Sequence, residues 1–453
     1  MKNVKTMSKL MIFALILGIH AIYSTDSFAS IKGNIIGSEN IVDVADAITS
    51  LRICSGINLN PNDNSDLNED NMIGLEEAIF ALQVASGIKE QAVFGQLQQL
   101  LDDSVKNSKV PGAVLQIRTP SVQWVGAAGL SSVRNQIPMK TSDLLRIASM
   151  TKVFVSTVVL SLHEKGKLNI ESSIQTYLSK EIVEKLSYQD QDIKIINLLN
   201  MTSGILDYVA IDAYNDDVEE NPNRQTSWMP EELLEYVFNI YSDKYSADYE
   251  YFVSQGDIFE PGSAFKYSNT NYILLEMIVN KVSDHSLSAE IRRIISNPLE
   301  LKNTFMEIHE SREGGFGGLF VRGYRINEIG EIEDVTEIND ALGLGDGGLI
   351  SDAYGLADFL NAMFKEQTIL STRMLEQMTN FDPYGHHEDY GLGLSYMNTN
   401  FGAAWGHNGT SSGFQGDMFY LIEKELIFVL LTNCEDESIF DSLFNSSLNL
   451  LYQ

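Results

Sequence analysis

Leu426-Ile-Phe-Val-Leu-Leu-Thr-Asn433 is an uncharged, apolar run near the end of the chain, and it reads as a β-strand. Asp417-Met-Phe-Tyr-Leu-Ile422 and Ala403-Ala-Trp405 read as strands just before it. Far upstream, Val110-Pro-Gly-Ala-Val-Leu-Gln-Ile-Arg118 and Val122-Gln-Trp-Val-Gly-Ala-Ala-Gly129 read the same way. Between these groups the pattern is mostly helical, from Ser149 to about Ile308 and again from Asp352 to Phe364. Loops rich in Asn, Asp and Tyr interrupt it between 207 and 260. Phe94 to Asn107 and Leu443 to Leu451 have helical spacing and flank the strands. The expected fold is therefore α+β: one antiparallel sheet built from the two ends of a domain spanning 93–453, flanked by helices, with an all-helical subdomain inserted. A site would lie in the cleft between sheet and insertion.

The chain has 453 residues, 44% of them hydrophobic, enough for one large domain and a small one. Its formal net charge of −31 opposes nucleic acid and anionic membrane surfaces as partners, because both would repel it. The start has the pattern of a secretion signal over 1–29. Lys2, Lys5 and Lys9 precede an apolar stretch from Leu10 to Tyr23, and Ser27-Phe28-Ala29 sets small residues around a cut after Ala29. That stretch is short for a membrane span, and no cysteine near the cut offers a lipid anchor. The expected address is periplasmic or extracellular, with no membrane anchor after cleavage. The two cysteines, Cys54 and Cys434, are expected to be separate buried thiols.

Residues 33–88 hold a small repeat. Val44 to Gly56 aligns with Leu75 to Gly87, and both read as short amphipathic helices ending at glycine. Before the second helix, Asp66, Asn68 and Asp70 fall at positions 1, 3 and 5 of a twelve-residue calcium loop. Met72 offers a carbonyl at position 7 and Glu77 closes the loop at 12. Asn71 stands where the turn glycine is usual, and Asn tolerates the left-handed conformation. The matching first loop has Ile35 and Gly37 at ligand positions, so it should bind poorly. This small helical, EF-hand-like pair resembles a dockerin-type module. The resemblance implies a calcium-dependent tether to a protein partner, or a calcium-stabilised appendage.

The large domain carries three short motifs in order: Ser149-Met-Thr-Lys152, Tyr267-Ser-Asn269 and His407-Asn-Gly409. On a helix, Ser149 and Lys152 share a face. Apolar Val153, Phe154 and Val158 follow, so the helix should be buried and the lysine desolvated into a neutral amine. Such an amine can activate a hydroxyl for acyl transfer with no metal or cofactor. Tyr267 can serve as a phenolate base or as the acid for the leaving group. Asn269 can bond a substrate amide or Lys152. His407 can bind a substrate carboxylate or orient Tyr267. The glycines around it, Gly409 included, allow close backbone approach, and the Thr410 N–H joins that of Ser149 as a candidate oxyanion donor.

Rival matches weigh less. Ser263-Ala-Phe-Lys266 repeats the first spacing, and Tyr396-Met-Asn398 the second. Gly409-Thr-Ser411-Ser-Gly413 has the form of a nucleophile elbow, but a strand pattern follows it and every histidine precedes it. His386-His387-Glu388-Asp389 reads as a solvated loop rather than a metal site.

Together with Leu198-Leu-Asn-Met-Thr-Ser-Gly204, Pro261 to Tyr272, Gly345-Asp-Gly-Gly-Leu-Ile-Ser351 and Tyr390-Gly-Leu-Gly-Leu394, the three motifs resemble the serine β-lactamase-related family. The match spans about 93–450, in the branch of class C enzymes, DD-peptidases and esterases. It implies a β-lactamase/transpeptidase-like fold, Ser149 as acylated nucleophile and Lys152 with Tyr267 as the acid/base pair. It also implies oxyanion donors at Ser149 and Thr410, with Asn269 and His407 completing the pocket. His407 stands where class C enzymes carry lysine, which favours a peptidase or esterase acting on D-alanyl peptides, esters or amides. A non-catalytic penicillin- or peptidoglycan-binding protein and a true class C-like β-lactamase are the alternatives. Met201 stands where a histidine is common, and is expected to affect stability more than chemistry.

Overall fold

A computed structural model describes residues 48, 49, 53, 88–186, 192–221, 228–310, 321–340, 343–381 and 389–452. The chain divides into two compact units, Met1–Phe94 and Gly95–Gln453. The signal-like segment, Cys54, the calcium loop from Asp66 to Glu77 and the His386-His387 pair all lie outside the described residues.

The principal sheet of the second unit contains β1 (Gly112–Arg118), β2 (Gln123–Ser132), β3 (Ile137–Pro138), β4 (Ser395–Thr399), β5 (Gly402–Ser411), β6 (Phe414–Leu421) and β7 (Leu426–Thr432). Their order across the sheet is β3-β2-β1-β7-β6-β5-β4, antiparallel throughout. The centre is the seam of β1 and β7, running from Ala113 opposite Thr432 to Arg118 opposite Ile427. The two ends of the domain thus close one sheet, as their strand patterns predict.

Every residue of β7 is buried, which explains its unbroken apolar sequence. Ile427, Val429 and Leu431 join the main core. Phe428, on the opposite face, meets Phe440 and Phe444 of the closing helix, with ring centroids 5.9 and 5.1 Å away. A strand sandwiched between layers has no wet side to mark with polar residues.

Five helices frame this arrangement: α1 (Ile88–Asn107), α2 (Thr151–Glu164), α3 (Thr270–Ser283), α4 (Ala353–Leu360) and α5 (Phe440–Tyr452). Residues 151–162 of α2 are all buried, so this stretch of the helix is enclosed on every side and runs through the core. Phe154 stacks on Phe359 of α4 at 3.8 Å between centroids. Asp352 caps α4 through a 2.7 Å bond from the Gly355 N–H.

Short antiparallel pairings set the start of α2. Leu145–Arg146 and Phe305–Met306 flank Leu349–Ser351. A buried, bidentate Arg146–Glu307 pair, with bonds of 2.9 and 3.1 Å, secures this patch. The Ile147 N–H then bonds Leu349 O at 3.0 Å, and the Leu349 N–H bonds Thr151 Oγ1 at 3.1 Å. These strands of two or three residues are too short to leave a periodic signal in the sequence. The strand read at Ala403–Trp405 also runs further, through Ser411, so the third motif is itself part of the sheet.

Candidate active site

Ser149 lies in a 3₁₀ turn, Ala148–Met150, that leads directly into α2. Ala148 has φ = 47°, a left-handed conformation that residues with a side chain adopt at a cost. Strand β5 presses on this turn at Gly409. A Cβ there would sit 2.5 Å from Ile147 O and 2.7 Å from the Ser149 amide nitrogen. Gly409 therefore clears the backbone of the serine turn, a closer contact than the ligand approach its sequence suggests.

Lys152, the second residue of α2, is fully buried. Its Nζ donates to Ser149 Oγ at 3.0 Å, Asn269 Oδ1 at 2.7 Å and the Asp346 carbonyl at 2.5 Å. Burial lowers its pKa to about 8, against the opposing attraction of Asp346 and Asp207. The amine thus loses its proton far more readily than an ordinary lysine.

The second motif comes from the chain ahead of α3. The ring of Tyr267 faces Lys152, with Nζ 5.0 Å from its centroid. Tyr267 Oη is buried with no hydrogen-bond partner in bonding geometry among the described residues. Burial raises its pKa above that of a free phenol, and Ser149 is the group that pulls it back. Tyr267 is accordingly a neutral phenol, and the phenolate form considered from sequence is disfavoured. Asn269 is held by Asp207, whose Oδ1 accepts the backbone N–H at 3.1 Å and whose Oδ2 accepts Nδ2 at 3.0 Å. This fixes the amide so that its oxygen faces Lys152.

His407 is buried on β5, with Nδ1 2.5 Å from Asn408 O and Nε2 3.2 Å from Tyr390 Oη. Its ring centroid is 6.2 Å from that of Tyr267. Burial depresses its pKa to about 4, so the imidazole is neutral near pH 7 and offers no charge to a carboxylate.

Ser149, Asn269, Asp346 and Thr410 line one cleft of about 720 Å³. The structure thus brings Ser149, Lys152, Tyr267, Asn269, His407, Gly409 and Thr410 together. It does not bring in Ser263 or Lys266. Lys266 is half exposed and pairs with Asp257 at 2.7 Å, while Ser263 Oγ donates to Glu260 O at 2.6 Å. Ser411 ends β5 and β6 follows after a tight turn, with no helix, so the elbow reading fails on geometry. Among the described residues, no cluster of three His, Cys, Asp or Glu side chains could hold a metal ion.

This arrangement has counterparts in known proteins. A model of the beta-lactamase family matches residues 97–443. The chain belongs to the beta-lactamase family, a family of serine hydrolases. Penicillin-binding protein 4* of Bacillus subtilis is 24% identical over 357 residues, 76% of this chain and 73% of that protein. Protein flp of Staphylococcus aureus is 26% identical over 212 residues, 46% of this chain but only 37% of its own length. Among solved structures, the D-amino acid amidase of Ochrobactrum anthropi SV3 with L-phenylalanine amide superposes with a TM-score of 0.64. It is 22% identical, covering 80% of this chain and 98% of that one. An octameric penicillin-binding protein homologue from Pyrococcus abyssi gives 0.65 at 24% identity, covering 79% and 77%. At these identities the structural likeness is one of fold.

Several members of the site escaped the sequence reading. Asp346, buried, and Asp207, half-buried, are carboxyls near Lys152, and desolvation raises the pKa of both. Tyr208 Oη donates to Asp346 Oδ2 at 2.6 Å. Glu276 of α3 accepts the Gly345 N–H at 2.8 Å and so anchors the Asp346 turn. The available signal was an aspartate set among glycines in Gly345-Asp-Gly-Gly348, where an apolar residue would suit a tight core turn better. Met201 fills the core at φ = 61°. Its sulfur lies 3.5 Å from the Ser268 N–H donor and 3.4 Å from Asn271 Nδ2. It therefore supports the loop that presents Tyr267 and Asn269. Among the described residues Cys434 is a buried thiol without a disulfide partner, and Cys54 lies outside them.

Proposed function

We propose that this protein is a secreted serine hydrolase that cleaves amides, esters or D-alanyl peptides through an acyl-enzyme on Ser149. The observation that carries the reading is the 3.0 Å contact between Ser149 Oγ and a wholly buried Lys152 whose pKa falls to about 8. Neutral Lys152 takes the Oγ proton as Oγ attacks the substrate carbonyl carbon. The negative charge that develops on the carbonyl oxygen is met by the N–H groups of Ser149 and Thr410. The C–N or C–O bond then breaks. Tyr267 protonates the leaving group and regains a proton from the Lys152 ammonium. A water molecule repeats the sequence in reverse roles, gives its proton to the lysine–tyrosine pair and releases the acid from Ser149. The amidase and penicillin-binding relatives support this class of acyl transfer. Secretion rests on the leader pattern at 1–29. No helix among the described residues is long and apolar enough to cross a membrane.

The test is p-nitrophenyl acetate turnover, with intact-mass detection of the acyl adduct. A burst and an acetyl adduct that vanish in Ser149→Ala, and persist in Ser411→Ala, are expected. Loss in Ser411→Ala alone would refute the assignment.

A further inference from the structure

The cleft beside Ser149 is acidic. Glu219, Glu333, Asp334, Glu337, Asp340 and Asp346 all line it, against one basic lining residue among those described, Arg325. Arg325 is already paired with Glu333 at 3.0 Å, and Arg322 holds Asp334 and Glu337. Glu219, Asp340 and Asp346 make no ion pair among the described residues. The basic group nearest in effect to Asp340 is Arg146, which is locked to Glu307.

Asp346 adds a second, independent observation. It is only 7% exposed. Tyr208 satisfies its Oδ2, yet Oδ1 has no hydrogen-bond partner among the described residues. A buried carboxyl oxygen without a donor is costly, and an incoming N–H would relieve it. The residue also sits next to the reacting centre, because Lys152 bonds both Ser149 Oγ and the Asp346 carbonyl. Among the described residues, the amine at the reacting centre, Lys152, is already bonded to Ser149, Asn269 and the Asp346 carbonyl, and His407 is buried and bonded to Tyr390, so neither stands open to a substrate carboxylate.

We propose that Asp346 is a specificity-determining residue that receives a protonated amine of the substrate, so that the preferred substrates are amides or esters of acyl groups bearing a free amine. This rests on the reading of Ser149 as the acylated nucleophile. It distinguishes such substrates from peptides recognised by a terminal carboxylate. The surrounding acidic residues gather cations at the mouth of the cleft, and Asp346 selects at the base.

The experiment compares phenylalanine p-nitroanilide with its N-acetyl derivative, in both hands, on the full-length protein. The wild type should favour the free amine by about 10- to 100-fold in kcat/KM, the worth of a hydrogen bond to a charged group. Asp346→Asn should bring the ratio close to one. Because that variant can also perturb folding, the wild type is tested separately with benzylamine and benzoate, and only the amine should inhibit competitively. A wild-type ratio at or below one, or stronger inhibition by benzoate, overturns the assignment. So does a ratio that survives in folded Asp346→Asn. Intact-mass analysis separates the two failures. Equal Ser149 adducts from both substrates remove the role of Asp346 alone, whereas no Ser149 adduct from any substrate removes the acyl-enzyme reading and this one with it.

Discussion

Ser149-Met-Thr-Lys152 and Ser263-Ala-Phe-Lys266 share a spacing and little else. Lys152 is wholly buried, while the Lys266 side chain is half exposed. Lys152 bonds a hydroxyl, an amide oxygen and a carbonyl, all uncharged. Lys266 instead pairs with the carboxylate of Asp257 at 2.7 Å. Ser149 precedes a helix buried from Thr151 to Leu162, whereas Ser263 spends its hydroxyl on the carbonyl of Glu260. The spacing brings an amine near a hydroxyl; the surroundings decide whether that amine is a base or a surface cation.

The most forceful way to break this comparison is to delete each partner. Lys152→Ala should lower kcat/KM for a nitrophenyl ester by about 10²- to 10⁴-fold, the range for loss of a general base. Lys266→Ala should change it by no more than about twofold, as for an ordinary surface substitution. Comparable losses in both would show that burial is not the deciding variable.

Titration sharpens the contrast. Lys152 acts only when neutral, and its pKa is depressed from 10.5 to about 8. Below pH 8 the neutral fraction falls about tenfold per unit, so kcat/KM should rise with unit slope and level off near that pH. A limb that instead continued to rise toward pH 10.5 would mean that the amine is not desolvated in solution.

The two aspartates offer a smaller test. Asp207 fixes Asn269 from behind, and Asp257 pairs with the exposed lysine. Asp207→Asn should let the Asn269 amide shift and cost about 10²-fold in kcat, the penalty typical of misplacement by about 1 Å. Asp257→Asn should leave kcat alone and cost less than about 1 kcal/mol in chemical denaturation, because exposed ion pairs contribute little.

Met201 touches both regions at once. Its carbonyl accepts the Lys266 N–H at 3.0 Å, and its sulfur faces the N–H of Ser268. Met201→Ala should destabilise the domain by about 2–5 kcal/mol through the cavity it leaves, visible as a lower Tm. The remaining folded enzyme should keep most of its ester activity, because Met201 does not line the cleft.

Much of this architecture was readable in advance. The strand runs at both ends and the helical middle announced one sheet with an insertion, because long apolar runs and helical periodicity survive in any packing arrangement. The third motif was harder. Its strand alternates apolar and exposed positions only weakly around Gly406, His407 and Gly409, so only the first three residues stood out as a strand. The three-stranded patch around Leu349 left no trace, although it is what brings the Ser149 turn to the Asp346 loop.

The sequence alone determined that a hydroxyl and an amine lie one helical turn apart, with a phenol, an amide and a glycine-flanked histidine in order behind them. That follows from local spacing, which a helix converts directly into shared faces. Only the tertiary structure decided which serine–lysine pair is buried, that the imidazole and the phenol are neutral, and that Asp207 and Asp346 stand at the lysine. Those properties arise from desolvation and from contacts between residues more than 50 positions apart, such as Lys152 with Asn269 and the Asp346 carbonyl, and no window of neighbouring residues contains them.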